Sequence, residues 1–137
     1  MHEKKIFLAL EFLFKTVFTF LFLEALLYPY RQPITEAFSE ILRGKISGNY
    51  SVVWECTAID EVLLLASALW WSGGPIRERV VSILLGAAAV WLYNVARIVI
   101  LAHYPNQTLH DVLFRWGGFV IILGVYYALT RQRIKTG

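Results

Sequence analysis

The sequence predicts an all-α membrane protein with four transmembrane helices and a short amphipathic helix in the first outside loop. Hydrophobic residues make up 58% of the 137 residues and charged residues only 17%, whereas a soluble domain is nearer half apolar and a quarter charged. The apolar residues form four blocks of spanning length, and short basic clusters separate them. The length indicates one domain, and the single cysteine excludes an internal disulfide.

Each apolar block is long enough to form a transmembrane helix. A spanning helix needs roughly 20 apolar residues, and in lipid its backbone must bond within its own segment. The four predicted spans are residues 6–30, 52–71, 80–103 and 112–129. The first is too long and too charged for a cleaved signal peptide. Its Glu11 and Lys15 are four residues apart, so they can pair on one helix face.

Basic residues between the spans predict that both termini lie in the cytoplasm. The residues on this side are Lys4, Lys5, Arg77, Arg79, Arg131, Arg133 and Lys135. The opposite side carries few basic residues within a longer loop, so the positive-inside rule assigns it to the outside. The net charge of +3 comes from these short clusters, which indicate topology and not a nucleic-acid surface.

The first outside loop has the pattern of a short helix. Pro33 is suited to begin it and Gly44 to end it. Its apolar positions at helical spacing are Ile34, Ala37, Phe38, Ile41 and Leu42. This pattern is typical of a helix that lies on the outer leaflet. It is either a connector or a cover over a site at membrane level.

Polar residues inside the spans indicate a site, because they are costly in lipid and usually functional. Cys56 lies near the outer end of the second span, and His110 precedes the fourth. Arg97 lies six residues before His103, which places it about 9 Å below the outer end of the third span. The three therefore converge at one level. The supporting candidates are Asn94, Glu55, Asp60 and Asp111. Any of the acidic residues Glu55, Asp60 and Glu61 can pair with Arg97 or bind a polar group of a substrate.

Together these residues fit the chemistry of a cysteine acyltransferase. A thiol attacks a carbonyl as the thiolate, which a nearby arginine favours. A histidine can take the thiol proton and later protonate a leaving amine. The guanidinium of Arg97 can also hold the oxyanion that develops during acyl transfer. This chemistry needs no metal or cofactor.

Other interpretations of the same residues stay open. Cys56 can be an apolar filler, and Arg97 can pair with an acidic residue for packing alone. The chain would then be a non-enzymatic four-helix membrane subunit. A metal or haem site at His103, His110 and Asp111 lacks an HExxH helix or a matched histidine pair across spans. His103 is also a rival to His110 as the base.

The order and spacing of these motifs resemble the exosortase and archaeosortase family of multi-pass membrane transpeptidases. The matching elements are Cys56 within Glu-Cys-Thr-Ala, the N-x-x-R element from Asn94 to Arg97, and His110 followed by Asp111. The resemblance covers roughly residues 54–127. It implies that Cys56 is the nucleophile, His110 the acid and base, and Arg97 the stabiliser of thiolate and oxyanion.

The resemblance also implies the substrates and the location. The substrates would be surface proteins with a C-terminal sorting tail that has a short motif, one span and a basic end. The enzyme would cut near the motif and pass the new carboxyl end to an acceptor, such as a membrane lipid. The site would face the outside of an archaeal or bacterial cell membrane. Family members usually have more spans, so we expect a partner subunit or a homo-oligomer to contribute to substrate recognition.

Overall fold

The computed structural model describes residues 2–42, 57–104 and 106–136, which are almost entirely helical. The elements in chain order are α1 (His2–Leu27), a 3-10 turn (Tyr28–Tyr30), α2 (Arg31–Leu42), α3 (Ile59–Trp71), α4 (Ile76–His103), α5 (Gln107–Asp111), a π-helical turn (Val112–Gly117) and α6 (Gly118–Thr136). Two predicted site residues, Glu55 and Cys56, lie outside the described residues. The all-α prediction is confirmed.

Within the described residues, three helical segments are long and apolar enough to cross a membrane. They are His2–Leu42, Ile76–His103 and Thr108–Arg131. They include the first, third and fourth predicted spans. Within the second predicted span, residues 52–56 lie outside the described residues, and the 13-residue helix α3 begins only at Ile59, because Ala58 before it has a left-handed conformation. The membrane character is therefore supported, and the count of four spans stays a prediction.

The outer surface of the bundle is strongly apolar. Large side chains such as Phe14 on α1, Leu92 on α4 and Val120 on α6 are more than half exposed. A soluble monomer rarely exposes contiguous apolar surface on this scale, whereas hydrocarbon is a suitable solvent for it. Helix α4 is the most buried of the three candidate spans and packs against both α3 and α6.

The core lies where α3 crosses α4. Leu65, Leu69 and Val90 are almost completely buried there. Gly86 permits the close approach, since a Cβ at this position would lie 2.9 Å from Leu65 Cδ2. A tight turn joins the two helices: Gly73 and Gly74 have φ angles of 89° and 92°, which glycine adopts without a steric penalty.

Helix α2 occupies the position of the predicted loop helix and packs on α4. It begins at Arg31, two residues before Pro33, because the chain stays helical through the 3-10 turn. Phe38 is buried and meets the Trp91 ring edge-on, with 5.8 Å between the ring centroids. The contact anchors the middle of α2 to α4. Its location on the outer leaflet stays a prediction.

Candidate functional site

Arg97 is the centre of the candidate site. It lies on α4 and is 1% exposed. Its Nη2 donates a hydrogen bond to Glu61 Oε1 on α3 at 3.0 Å, and its Nε donates one to Asn94 Oδ1 at 3.0 Å. Asn94 precedes Arg97 by three residues, so both side chains lie on one face of α4. Asn94 thus bonds to Arg97 itself, and the guanidinium is held by two neighbours.

Glu61, an acidic residue that follows Cys56 in the sequence, forms an ion pair with Arg97. It lies in the first turn of α3, where the partial positive charge of a helix N-terminus favours a carboxylate. Its side chain is 16% exposed, so the ion pair is largely removed from solvent. The sequence left the choice among Glu55, Asp60 and Glu61 open. Glu55 lies outside the described residues.

Asp60 belongs to a neighbouring cluster with Glu24 and Arg31. Arg31 Nη2 donates a hydrogen bond to Glu24 Oε2 at 2.8 Å, across the 3-10 turn between α1 and α2. Asp60 lies close enough to Glu24 for the two carboxyl groups to interact electrostatically. Because Asp60 and Glu61 are adjacent, the start of α3 joins this cluster to Arg97. The N-terminal helices are thus tied to the candidate site by charge as well as by apolar contact.

Tyr93 is a residue of the site that sequence reasoning missed. The Arg97 guanidinium carbon lies 5.4 Å from the centroid of the Tyr93 ring, within the range of a cation–π interaction. The Tyr93 hydroxyl donates to the Leu113 carbonyl oxygen in the π-helical turn at 3.0 Å. The four-residue spacing from Tyr93 to Arg97 could have indicated this contact, because it places both side chains on one helix face.

Two adjacent glycines let the π-helical turn and α6 approach α4 closely. A Cβ at Gly117 would overlap the Tyr93 hydroxyl. A Cβ at Gly118 would lie 3.4 Å from both Arg97 Nη1 and Glu61 Oε1. The Arg97–Glu61 pair is therefore covered by the start of α6.

His110 lies on α5, just before the π-helical turn. Asn106 caps this short helix, since its Oδ1 accepts hydrogen bonds from the backbone N–H groups of Thr108 and Leu109. His110 Nδ1 lies 3.6 Å from Asp111 Oδ1, and both side chains are about half exposed. The imidazole of His110 thus lies beside the carboxylate of Asp111. The same continuous helix then contacts Tyr93 and Arg97 further along, through Leu113 and Gly118.

His103, the rival base, is exposed near the end of α4. Its Nδ1 lies 2.9 Å from the carbonyl oxygen of Val99 in the same helix. Across the ranges 2–42, 57–104 and 106–136, no three side chains of His, Cys, Asp and Glu come close enough together to hold a metal ion.

The residues that follow Cys56 in the sequence are buried. Thr57 is 1% exposed, and Ala58 is inaccessible and part of the core. Ala58 has a φ angle of 58°, a left-handed conformation that costs a residue with a side chain about 1–3 kcal/mol. Such strained positions occur preferentially near functional sites. Ala58 directly precedes α3, the helix that supplies Glu61.

The arrangement fixes the Arg97 guanidinium in a desolvated position, where it is paired with the Glu61 carboxylate. Charge–charge and hydrogen-bond energies are larger in a site of low dielectric than in water. No protein-family model, curated protein or solved structure matches the chain.

Proposed function

We propose that the chain is a cysteine transpeptidase of the cell membrane, similar in chemistry to the exosortases and archaeosortases. It cleaves C-terminal sorting tails from surface proteins and transfers the new carboxyl end to an acceptor such as a membrane lipid. Cys56 is the nucleophile, His110 the acid and base, and Arg97 the stabiliser of thiolate and oxyanion. The observation that supports this proposal most directly is the buried guanidinium of Arg97, which Glu61 and Asn94 fix in orientation.

The proposed reaction has two acyl-transfer steps. The Cys56 thiolate attacks the carbonyl carbon of the scissile peptide bond, and the oxyanion that forms is stabilised by Arg97. Protonated His110 donates its proton to the amide nitrogen, the C–N bond breaks, and the tail departs with a free amino end. The acceptor hydroxyl or amine then loses its proton to His110 and attacks the thioester. Cys56 leaves as the thiolate, and the protein is joined to the acceptor.

Burial of Arg97 supports a role in this reaction for a physical reason. A donor held in place before the reaction stabilises developing charge without the cost of reorienting itself. Asn94 and Glu61 restrain two separate nitrogens of one planar group, so its orientation is defined. Glu61 also offsets the cost of burying the positive charge.

The proposal includes four transmembrane spans, cytoplasmic termini and a site that faces outside. A membrane-impermeant maleimide should then label Cys56, the single cysteine, in intact cells. Labelling that appears only after the membrane is permeabilised, with the protein shown to be folded, would contradict this orientation.

Helix α2 is proposed to cover the site from the first outside loop. Arg31 ties its start to Glu24, and Phe38 ties its middle to Trp91. Trp91 lies six residues before Arg97 on α4, or about 9 Å along the helix axis. Because α4 runs outward in the proposed orientation, Trp91 lies on the cytoplasmic side of Arg97, and the Arg31–Glu24 pair is the anchor nearer to the site. A cover at this position would limit the entry of water, which competes with the acceptor.

The direct test is mass spectrometry of a tailed substrate in membranes. The candidate substrate is a protein encoded near this chain that ends in an apolar span and a basic segment. We expect a new C-terminus, joined to the acceptor, with the wild-type protein and none with Cys56→Ser, because a hydroxyl is a far weaker nucleophile near neutral pH. Full activity of Cys56→Ser would contradict the enzyme proposal.

A second candidate function is that of a non-enzymatic membrane subunit. The observation in its favour is that Glu61 and Asn94 engage Arg97 within the bundle, as they would in a structural ion pair. A small thiol reagent separates the two functions. Cys56 of a transpeptidase should react faster with iodoacetamide at neutral pH than a free thiol does, because it is held as the thiolate. An apolar filler should react slowly.

A further inference from the structure

The Tyr93 side chain contacts two parts of the proposed site at once. Its ring faces the Arg97 guanidinium at 5.4 Å, and its hydroxyl donates to the Leu113 carbonyl oxygen at 3.0 Å. Leu113 lies three residues after His110 in the same continuous helical segment. One side chain therefore connects the helix of Arg97 with the helix of His110.

The Leu113 carbonyl belongs to a turn with unusual hydrogen bonding. In a π-helical turn the backbone bonds run from residue i to i+5, so this turn is wider than the α-helices on either side. Turns of this kind are found mostly as single insertions in α-helices, frequently at functional sites. Here the turn directly follows His110 and Asp111. The Tyr93 hydroxyl on α4 donates a hydrogen bond to the Leu113 carbonyl oxygen in this turn.

The contact between Tyr93 and the turn is also sterically specific. A Cβ at Gly117 would overlap the Tyr93 hydroxyl, so the observed approach requires glycine at this position. Leu113 and Gly117 are four residues apart and meet the same hydroxyl. Gly118, the next residue, lies against the Arg97–Glu61 pair. The turn is thereby fixed on α4 over the segment from Tyr93 to Arg97.

We propose that Tyr93 is a positioning residue that sets the spacing between Arg97 and His110. Its ring supports the guanidinium, while its hydroxyl holds the π-helical turn, and with it the helix of His110, against α4. This inference rests on the proposed transpeptidase function. It adds to that function a residue that acts through Arg97 and through the helix of His110. Acid–base transfer and oxyanion stabilisation act on atoms of one intermediate, so their spacing has to be maintained.

The decisive variant is Tyr93→Phe in the full chain, reconstituted in lipid nanodiscs. It keeps the ring beside Arg97 and removes the hydroxyl alone. The matched control is Tyr127→Phe, the same change at an exposed position on α6. The first measurement needs no substrate: the imidazole 15N resonances of His110, with those of His103 as an internal reference. We expect Tyr93→Phe to move the His110 resonances, and Tyr127→Phe to leave them in place.

The second measurement is the steady-state cleavage of a tailed substrate. We expect Tyr93→Phe to lower kcat roughly tenfold or more with KM nearly unchanged, because a misplacement near 1 Å can cost about 100-fold. A change in KM alone, or wild-type kcat together with unmoved His110 resonances, would overturn the positioning role. If the wild type is inactive but Tyr93→Phe still moves the His110 resonances, the proposed function fails and the Tyr93 anchor stands.

A suppressor pair tests the steric part independently of activity. Gly117→Ala alone should lower the melting temperature, because the new methyl group overlaps the Tyr93 hydroxyl. Adding Tyr93→Phe removes the overlapped oxygen and should recover part of the loss. A double variant that melts lower than Gly117→Ala would show that the hydroxyl does not approach this turn, and would overturn the inference.

Discussion

Glu61 accepts a hydrogen bond from Arg97 Nη2 at 3.0 Å and thereby joins α3 to α4 through a buried ion pair. The carboxylate comes from the first turn of α3, and the guanidinium comes from the interior of α4. The pair thus ties the segment that follows Cys56 to the helix with the N-x-x-R element. Any function of Arg97 depends on this partner, because an isolated charge is costly to bury.

Removing the charge of Glu61 should destabilise the protein strongly. Glu61→Gln leaves Arg97 buried without its counter-ion, a change that costs about 3–5 kcal/mol in buried pairs. The measurement is the free energy of unfolding in mixed micelles. The control is Glu36→Gln on α2, where the exposed carboxylate accepts a hydrogen bond from Gln32. We expect the control to change the unfolding free energy by less than about 0.5 kcal/mol.

The double variant Glu61→Leu with Arg97→Met provides a further check on this ion pair. Replacing both partners of a buried pair by apolar residues is often neutral or stabilising. We expect it to recover most of the stability lost in Glu61→Gln and to have no activity. A stable and active double variant would refute the catalytic role of Arg97.

Two helical glycines should respond in opposite ways to alanine. At Gly86 a Cβ would lie 2.9 Å from the buried Leu65 side chain, so Gly86→Ala should destabilise the crossing of α3 and α4 by about 1–3 kcal/mol. At Gly124 a Cβ would meet nothing within 4 Å. Gly124→Ala should be neutral or stabilising by up to about 1 kcal/mol, because alanine favours the helix. Equal effects of the two changes on the unfolding free energy would contradict the observed crossing.

The docking of α2 should depend on Phe38. Phe38→Ala removes the ring that packs on Trp91, and we expect faster amide hydrogen exchange in residues 31–42 while α4 stays protected. Ile41→Ala is the control, because Ile41 is 55% exposed. If α2 covers the site, Phe38→Ala should also speed maleimide labelling of Cys56. Unchanged exchange in Phe38→Ala would contradict the contact.

The sequence predicted those features that depend on local spacing. Apolar block length predicted the helices, and the three-residue interval from Asn94 to Arg97 places both side chains on one helix face, where they hydrogen-bond to each other. The four-residue interval between Glu11 and Lys15 predicted an ion pair, and their charged atoms lie 2.7 Å apart. Helical periodicity determines each of these features within one segment.

Features that depend on how the helices pack could not be predicted from the sequence. Asp60 and Glu61 are adjacent, so about 100° of helix rotation decides which of them meets Arg97. That rotation is set by the packing of α3 on α1 and α4, which no local pattern encodes. Tyr93 resembled an ordinary aromatic residue of a span, because its partner Leu113 lies 20 residues away. The roles of Glu55 and Cys56 stay predictions, since both lie outside the described residues.

The substitution Arg97→Lys separates catalysis from packing at the centre of the site. Lysine keeps a positive charge but loses the planar fork with which Arg97 reaches Glu61 and Asn94 together. If Arg97 stabilises the oxyanion, cleavage of a tailed substrate should fall by at least ~100-fold, the usual cost of losing one oxyanion donor. Folding and membrane insertion should survive, because the charge and most of the stem remain.

The control for this change is Arg79→Lys at the turn between α3 and α4. Arg79 Nε donates to the Gly74 carbonyl oxygen at 2.9 Å, and its guanidinium lies over the Trp70 ring at 5.2 Å, so the same chemical change is made far from the site. We expect Arg79→Lys to keep wild-type cleavage per folded molecule. If Arg97 has only a packing role, Arg97→Lys should lower the melting temperature and keep near-normal cleavage per folded molecule. That outcome would refute the catalytic role of Arg97. Loss of an oxyanion donor lowers the cleavage rate of every folded molecule, so the deficit would persist after the rate is normalised to folded protein.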